Sequence, residues 1–209
     1  MFSTAVIYII RMMAVLAGVM AMTAMAKAGT IRASYAEAGG PTSIPYGWID
    51  FCGRHPEECT NTPLPAMNVN LTASVLRTLN QINSKVNAFI QPVSNMDHWG
   101  TNLDHWDYPN DGKGDCKVYA LYKRKLLLKA GFPRQALLMT IVRDLNGNGH
   151  TILMVRTNQG DLILDNLVGN IRLWDETGYR FLKRQAQEDP NIWLSLGDVV
   201  GARMTEARN

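Results

Sequence analysis

The chain has 209 residues, of which 46% are hydrophobic and 19% charged, with a formal net charge of +3. This length suits one domain with a sizeable core, and the composition excludes wholesale disorder and collagen-like or low-complexity chains. The short basic runs Lys123-Arg124-Lys125 and Lys183-Arg184 make no stripe of the kind a nucleic-acid binder displays, so no nucleic-acid partner is expected.

The first 26 residues carry one charge, Arg11, followed by an apolar run from Met12 to Met22 and the small-x-small triplet Ala24-Met25-Ala26. This reads as a secretory signal over residues 1–26 with the mature chain starting near Lys27, because the run falls short of the ~20 residues that span a bilayer. An uncleaved anchor is the alternative, since the ten residues before Arg11 are also apolar. Cleavage leaves no stable membrane span, one domain over residues 27–209, and a bacterial periplasmic or secreted location. In such an oxidising compartment Cys52 and Cys59, seven positions apart around Gly53 and Pro56, are expected to form a disulfide. His55 lies between them, but two cysteines and one histidine make a poor structural zinc site. Residues 27–68, rich in Gly, Pro, Ser and Thr, read as an irregular segment held by that bond.

From Asn70 the apolar positions Leu71, Val75, Leu76, Leu79, Ile82, Val86, Phe89 and Ile90 recur at helical spacing, with Asn70 as the expected N-cap and Pro92 beyond the end. Residues 92–115 read as a polar and aromatic loop carrying Asp97-His98-Trp99 and Asp104-His105-Trp106. A second helix is expected from Cys116 to about Ala130, stopped by Gly131 and Pro133. Its basic residues, Lys123 to Lys129, crowd the C-terminal half and complement the helix dipole. Residues 136–142, 151–157 and 162–165 then form an antiparallel meander, separated by Asn146-Gly-Asn-Gly149 and Asn158-Gln-Gly160. The expected architecture is α+β, helices first and packed on an antiparallel sheet.

With two cysteines paired, Cys116 is the odd thiol of a secreted chain, and it opens a helix, where unpaired N–H groups favour a thiolate. His150 opens a strand and Asp165 closes the next. With Asn158-Gln159 as a two-residue turn, Thr157 pairs with Gly160 and Ile152 with Asp165, so His150 and Asp165 share a face about 7–8 Å apart on the diagonal. A thiolate, an imidazole and an orienting carboxylate are the parts of nucleophilic acyl transfer. Taken singly, each has a bland explanation: a small buried thiol, a loop histidine, a turn-capping aspartate.

Gly114-Asp-Cys116, Gly149-His150-Thr-Ile-Leu-Met-Val-Arg and Gly160-Asp-Leu-Ile-Leu-Asp165-Asn166 resemble the bacterial transglutaminase-like cysteine proteinases, over residues 97–196 including Trp174 and Gly178-Tyr-Arg-Phe181. The resemblance implies a papain-like transglutaminase core in a secreted protein, with Cys116 as nucleophile, His150 as general base and acid, and Asp165 orienting the imidazole. It also implies a protein or peptide substrate, since members of that family clip cell-surface adhesins at small-residue sites and release biofilm. Those members carry Asp-Cys-Glu and bind calcium through the flanking carboxylates. This chain has Asp115-Cys116-Lys117, and a lysine supplies no oxygen ligand, so no cofactor is expected and Asp115 is a metal ligand only if a calcium site survives.

Other signals are weaker. Residues 144–149 match half of a calcium loop, but Val155 stands where the bidentate Glu is required, so they read as a turn that places His150. His98 and His105 lack the spacing context of a metal pair. Trp99 and Trp106 are expected to wall the cleft and grip an extended peptide, while the Cys116 N–H supplies one oxyanion donor. The rival functions are a transglutaminase or amidase using an amine acceptor, a non-catalytic peptide-binding module of the same fold, and a metal-binding protein.

Overall fold

The computed structural model describes residues 33–59 and 62–197. The expected signal at residues 1–26 lies outside the described residues, as does the start of the mature chain. Among the described residues no helix is long and apolar enough to cross a membrane.

Residues 33–68 are more regular than the composition suggests. They contain strand β1 (Ala38–Thr42), helix α1 (Tyr46–Arg54) and the single turn α2 (Pro56–Cys59). Trp48 and Phe51 of α1 are wholly buried, and the Cys52–Cys59 disulfide joins α1 to α2. Gly and Pro here mark the turns between short elements rather than the lack of them.

Helix α3 (Ala73–Phe89) starts later than expected: Thr72, not Asn70, is the N-cap, its hydroxyl accepting from the Val75 N–H at 3.2 Å. Asn70 instead meets the turn of the later hairpin, accepting from the Asn158 amide at 2.9 Å. The buried stripe is Leu79, Asn83 and Val86, whereas Leu76 and Phe89 face outward. Between the long helices lie β2 (Gln91–Pro92), the short helix α4 (Asn95–Trp99) and β3 (Lys113–Gly114). Strands β2 and β3 pair in parallel, and Gly114 accepts a backbone bond from Val93, which pins the chain just before Cys116.

Helix α5 (Cys116–Lys129) follows the expected span, with Ala130 as its C-cap and Gly131 at φ +86°. Its basic residues do not all line a solvated face, however. Lys123 and Arg124 are each 1% exposed. Arg124 reaches Glu58 at 3.4 Å and lies against the Trp48 ring, so the helix dipole does not account for these two.

The sheet runs in the order β1-β9-β8-β4-β5-β6-β7, with β4 (Leu137–Arg143), β5 (Gly149–Thr157), β6 (Gly160–Leu164), β7 (Arg172–Leu173), β8 (Arg180–Gln185) and β9 (Trp193–Leu196). Every pairing in it is antiparallel. Strands β4 to β6 form the expected meander, β7 extends it beyond β6, and β8 returns to the free edge of β4. Alternate residues divide between two cores. Leu137, Met139, Leu153, Val155, Leu162 and Leu164 pack with helix residues Trp48, Leu79 and Leu121. Leu138, Val142, Ile152, Met154 and Ile163 pack with Trp174, Tyr179 and Phe181. This period-two division, with helices against one face, is the α+β layering expected.

Candidate active site

Cys116 is the first residue of α5. Asp115 caps the helix, its carboxylate accepting from the Lys117 N–H at 3.1 Å while its carbonyl accepts from Val118 and Tyr119. The Cys116 N–H therefore has no intrahelical acceptor, as first-turn geometry requires. The position before the cap tolerates only glycine without a shift. A Cβ on Gly114 would stand 2.5 Å from the Val118 side chain. Cys116 is half-buried and is the free cysteine of the described residues.

His150 is the second residue of β5. The turn before it is tied by Asp144, whose Oδ1 accepts from the N–H groups of Asn146 and Asn148 at 2.9 and 2.8 Å. Gly147 takes φ +81°, so these residues work as a turn, not a calcium loop. The hairpin register is the expected one: Thr157 faces Gly160 and Leu153 faces Leu164. Asp165, one residue past β6, thus falls on the His150 side of the hairpin, and His150 Nε2 and Asp165 Oδ1 are 2.7 Å apart.

Asp165 is held from several directions. Tyr179 donates its hydroxyl to Oδ2 at 2.6 Å, the Leu167 N–H donates to Oδ1 at 3.0 Å, and the Asn87 amide donates to the Asp165 carbonyl at 2.8 Å. Burial alone would raise its pKa, but the bonds from His150 and Tyr179 and the imidazole charge overcome that and hold the carboxyl below the usual range. His150 is buried too, which disfavours its charge. Hydrogen bonds to Asp165 and to the Cys116 thiol, and the charges of both, win and raise it to about 9. With Nε2 taken by Asp165, Nδ1 is the ring nitrogen left for the Cys116 thiol. At neutral pH the imidazole is accordingly protonated, which is the state needed to donate a proton to a leaving group.

Tyr179 is the residue here to which sequence reasoning gave no role. Its ring also meets the His150 ring edge-on at 5.8 Å. The signal was present in Gly178-Tyr-Arg-Phe181, but nothing in the spacing aims that hydroxyl at Asp165. Lys123, two helical turns beyond Cys116, is a second such residue. Burial lowers its pKa to about 7 against the opposing pull of Asp165.

The two tryptophans separate. Trp99, the last residue of α4, is 44% exposed and lies near the rings of His98 and His105. Trp106 is 0% exposed, packed edge-on against Trp48 and Trp193, so it is a core residue and not a cleft wall. An Asp-His-Trp tripeptide carries no sign of which tryptophan turns inward. The histidines of the two tripeptides also part company: His98 binds Asp111 at 2.9 Å, whereas His105 lies 3.6 Å from Asp50 and 3.7 Å from Asp107.

The surroundings of Asp115 do not fit calcium. Lys117 Nζ pairs with Asp115 Oδ2 and stands 3.4 Å from Asp104 Oδ1, so an ammonium holds the carboxylates a metal would need. Calcium takes six to eight oxygens, and lysine has none to give.

A family model described as bacterial transglutaminase-like cysteine proteinase matches residues 38–200, reaching further toward the N-terminus than the motifs themselves. Among solved structures, Legionella pneumophila LapG is similar at 27% identity over 63% of this chain and 75% of that one, with a TM-score of 0.49. The calcium-bound form of LapG shows 24% identity over 64% and 81%, with a TM-score of 0.50, which shows a likeness of fold. No curated protein sequence matches significantly. On the family match, which spans more than half the chain, this protein belongs to the bacterial transglutaminase-like cysteine proteinases.

Proposed function

We propose that the protein is an exported cysteine peptidase in which Cys116 is the nucleophile, His150 the general base and acid, and Asp165 the residue that fixes the imidazole. The observation that carries this reading is the hydrogen-bonded chain from Tyr179 through Asp165 to His150, an imidazole whose proton affinity the Cys116 side chain also raises. Family membership supports the reaction class.

In this reading the Cys116 thiolate attacks the carbonyl carbon of a peptide bond, and the Cys116 N–H, aimed out of the helix start, helps hold the oxyanion. The C–N bond breaks as His150 passes its Nδ1 proton to the leaving amine, giving a thioester. Water then attacks the thioester, His150 takes its proton, and the acid product leaves with the thiolate restored. Trp99, exposed at the end of α4, contributes contact area for an extended protein or peptide substrate. Export to the bacterial periplasm or beyond is supported by the Cys52–Cys59 disulfide, a bond of oxidising compartments.

The test is incubation of the mature protein with a proteome-derived peptide library, with new termini read by mass spectrometry beside a Cys116→Ala control. New N-termini that vanish in the control support the peptidase. Incorporation of an added primary amine in place of cleavage would mean an amine acceptor. Peptide binding that is unchanged by Cys116→Ala, without cleavage, would make the protein a binding module.

A further inference from the structure

Lys117 follows the nucleophile directly, yet its side chain turns back rather than out, with 15% of its surface exposed. Its ammonium pairs with Asp115, the cap of the Cys116 helix, and with Asp104 Oδ1 at 3.4 Å. Asp104 belongs to a different part of the chain, the loop that passes over α1. Its carbonyl lies so close to Gly47 that a Cβ there would stand 2.6 Å away. Without a cation between them, Asp104 and Asp115 would repel across the mouth of the site. Burial of Lys117 disfavours its charge, but Asp115, Cys116 and Asp104 together keep it protonated.

We propose that Lys117 is a built-in cation, clamping the Asp104 loop onto the start of the Cys116 helix, and that it makes the site independent of divalent metal ions. This rests on the peptidase reading only for its consequence in catalysis, since the clamp itself is a matter of charge and position. Lys117 is a positioning residue in this scheme. It acts through Asp115 and Asp104, and a lysine cannot dissociate as a bound calcium ion can, so activity would not follow calcium concentration.

The experiment compares the mature wild type with Lys117→Glu and Lys117→Arg, each with calcium chloride or with EGTA. Thermal midpoint, calcium binding by calorimetry and hydrolysis of a cleaved peptide are read for each. The wild type is expected to keep the same midpoint in both media, to bind no calcium, and to hydrolyse at rates within about twofold. Lys117→Glu gathers three carboxylates and is expected to lose at least tenfold in rate in EGTA. Calcium then binds to it, raises its midpoint and restores most of the rate. Lys117→Arg keeps the wild-type behaviour. Calcium binding to the wild type, or a midpoint that rises with calcium, overturns the clamp even if Lys117→Glu does not fold. A folded Lys117→Glu that ignores calcium also overturns it. The midpoint and calorimetry need no turnover, so a protein that cleaves nothing refutes the peptidase and leaves the clamp to be decided by them.

Discussion

His150 and Asp165 meet at 2.7 Å although 15 positions separate them, because a two-residue turn at Asn158-Gln159 sets the parity of the hairpin. One residue more in that turn would send Asp165 to the opposite face. Gly160, at φ +119° and with the Ser34 carbonyl 2.7 Å from where a Cβ would be, is what lets the turn close this tightly.

Asp165→Asn is expected to lower kcat by about 10²-fold or more, in the range that general acid–base partners supply. The amide keeps the shape but removes the charge that holds the imidazole protonated and orients Nδ1 toward Cys116. Steady-state kinetics on a cleaved peptide check this, with KM changing little. A variant within threefold of wild type would remove Asp165 from the mechanism.

The pH dependence has a definite sign. His150 is raised from the ordinary 6.5 to about 9, so its protonated form is favoured in the folded protein. The stability this contributes is fully present below about 6.5 and is lost as pH rises through about 9. Proton donation to the leaving amine follows the folded imidazole alone, so it fades as pH rises through about 9. Peptide hydrolysis is therefore expected to hold across neutral pH and fall near pH 9, and Asp165→Asn is expected to move that alkaline limb to lower pH. An alkaline limb centred near 6.5 in the wild type would contradict the assignment.

Sequence reasoning reached the hairpin register because strand parity and a two-residue turn leave little freedom, and it reached the α5 start because Asp115 caps and Gly131 stops. It missed the order of α1 and α2, whose burial depends on Trp48 and Phe51 meeting a sheet formed from residues a hundred positions later. It also placed Trp106 in a cleft, where the structure buries it between Trp48 and Trp193. Short loop segments carry no periodicity, so which side of such a residue faces the core is fixed by tertiary packing alone. Tyr179 was within a recognised motif, but a hydroxyl's target is a long-range fact.

Tyr179→Phe removes one hydrogen bond to the Asp165 carboxylate and leaves Oδ2 buried without that donor. Bonds to charged groups contribute about 1.5–3 kcal/mol, so roughly a tenfold or greater loss of kcat is expected. Asp165 owes part of its lowered pKa to this hydroxyl. A depressed carboxyl contributes stability above its unfolded pKa that is lost as pH falls through the folded one. In Tyr179→Phe the folded pKa moves up toward the unfolded one, so that acid loss should be smaller and complete at higher pH than in the wild type, which thermal midpoints over an acid series would register. Midpoints that fall in parallel at all pH values would mean Tyr179 only packs.

Two glycines of α1 give a paired test of how tightly the 104–106 loop is seated. A Cβ on Gly47 would stand 2.1 Å from Trp106 Cδ1 and 2.2 Å from Nε1, whereas nothing lies within 4 Å of one on Gly53. Gly47→Ala is expected to cost about 1–3 kcal/mol through overpacking, lowering the thermal midpoint by several degrees. Gly53→Ala should be neutral or stabilise by up to about 1 kcal/mol, because alanine is the better helix former. Since the Asp104 carbonyl also crowds Gly47, the first variant shifts the loop away from Lys117 and should lose activity beyond what its midpoint accounts for at the assay temperature. Equal effects of the two substitutions on midpoint and rate would mean that Trp106 and Asp104 are not seated on α1 as described.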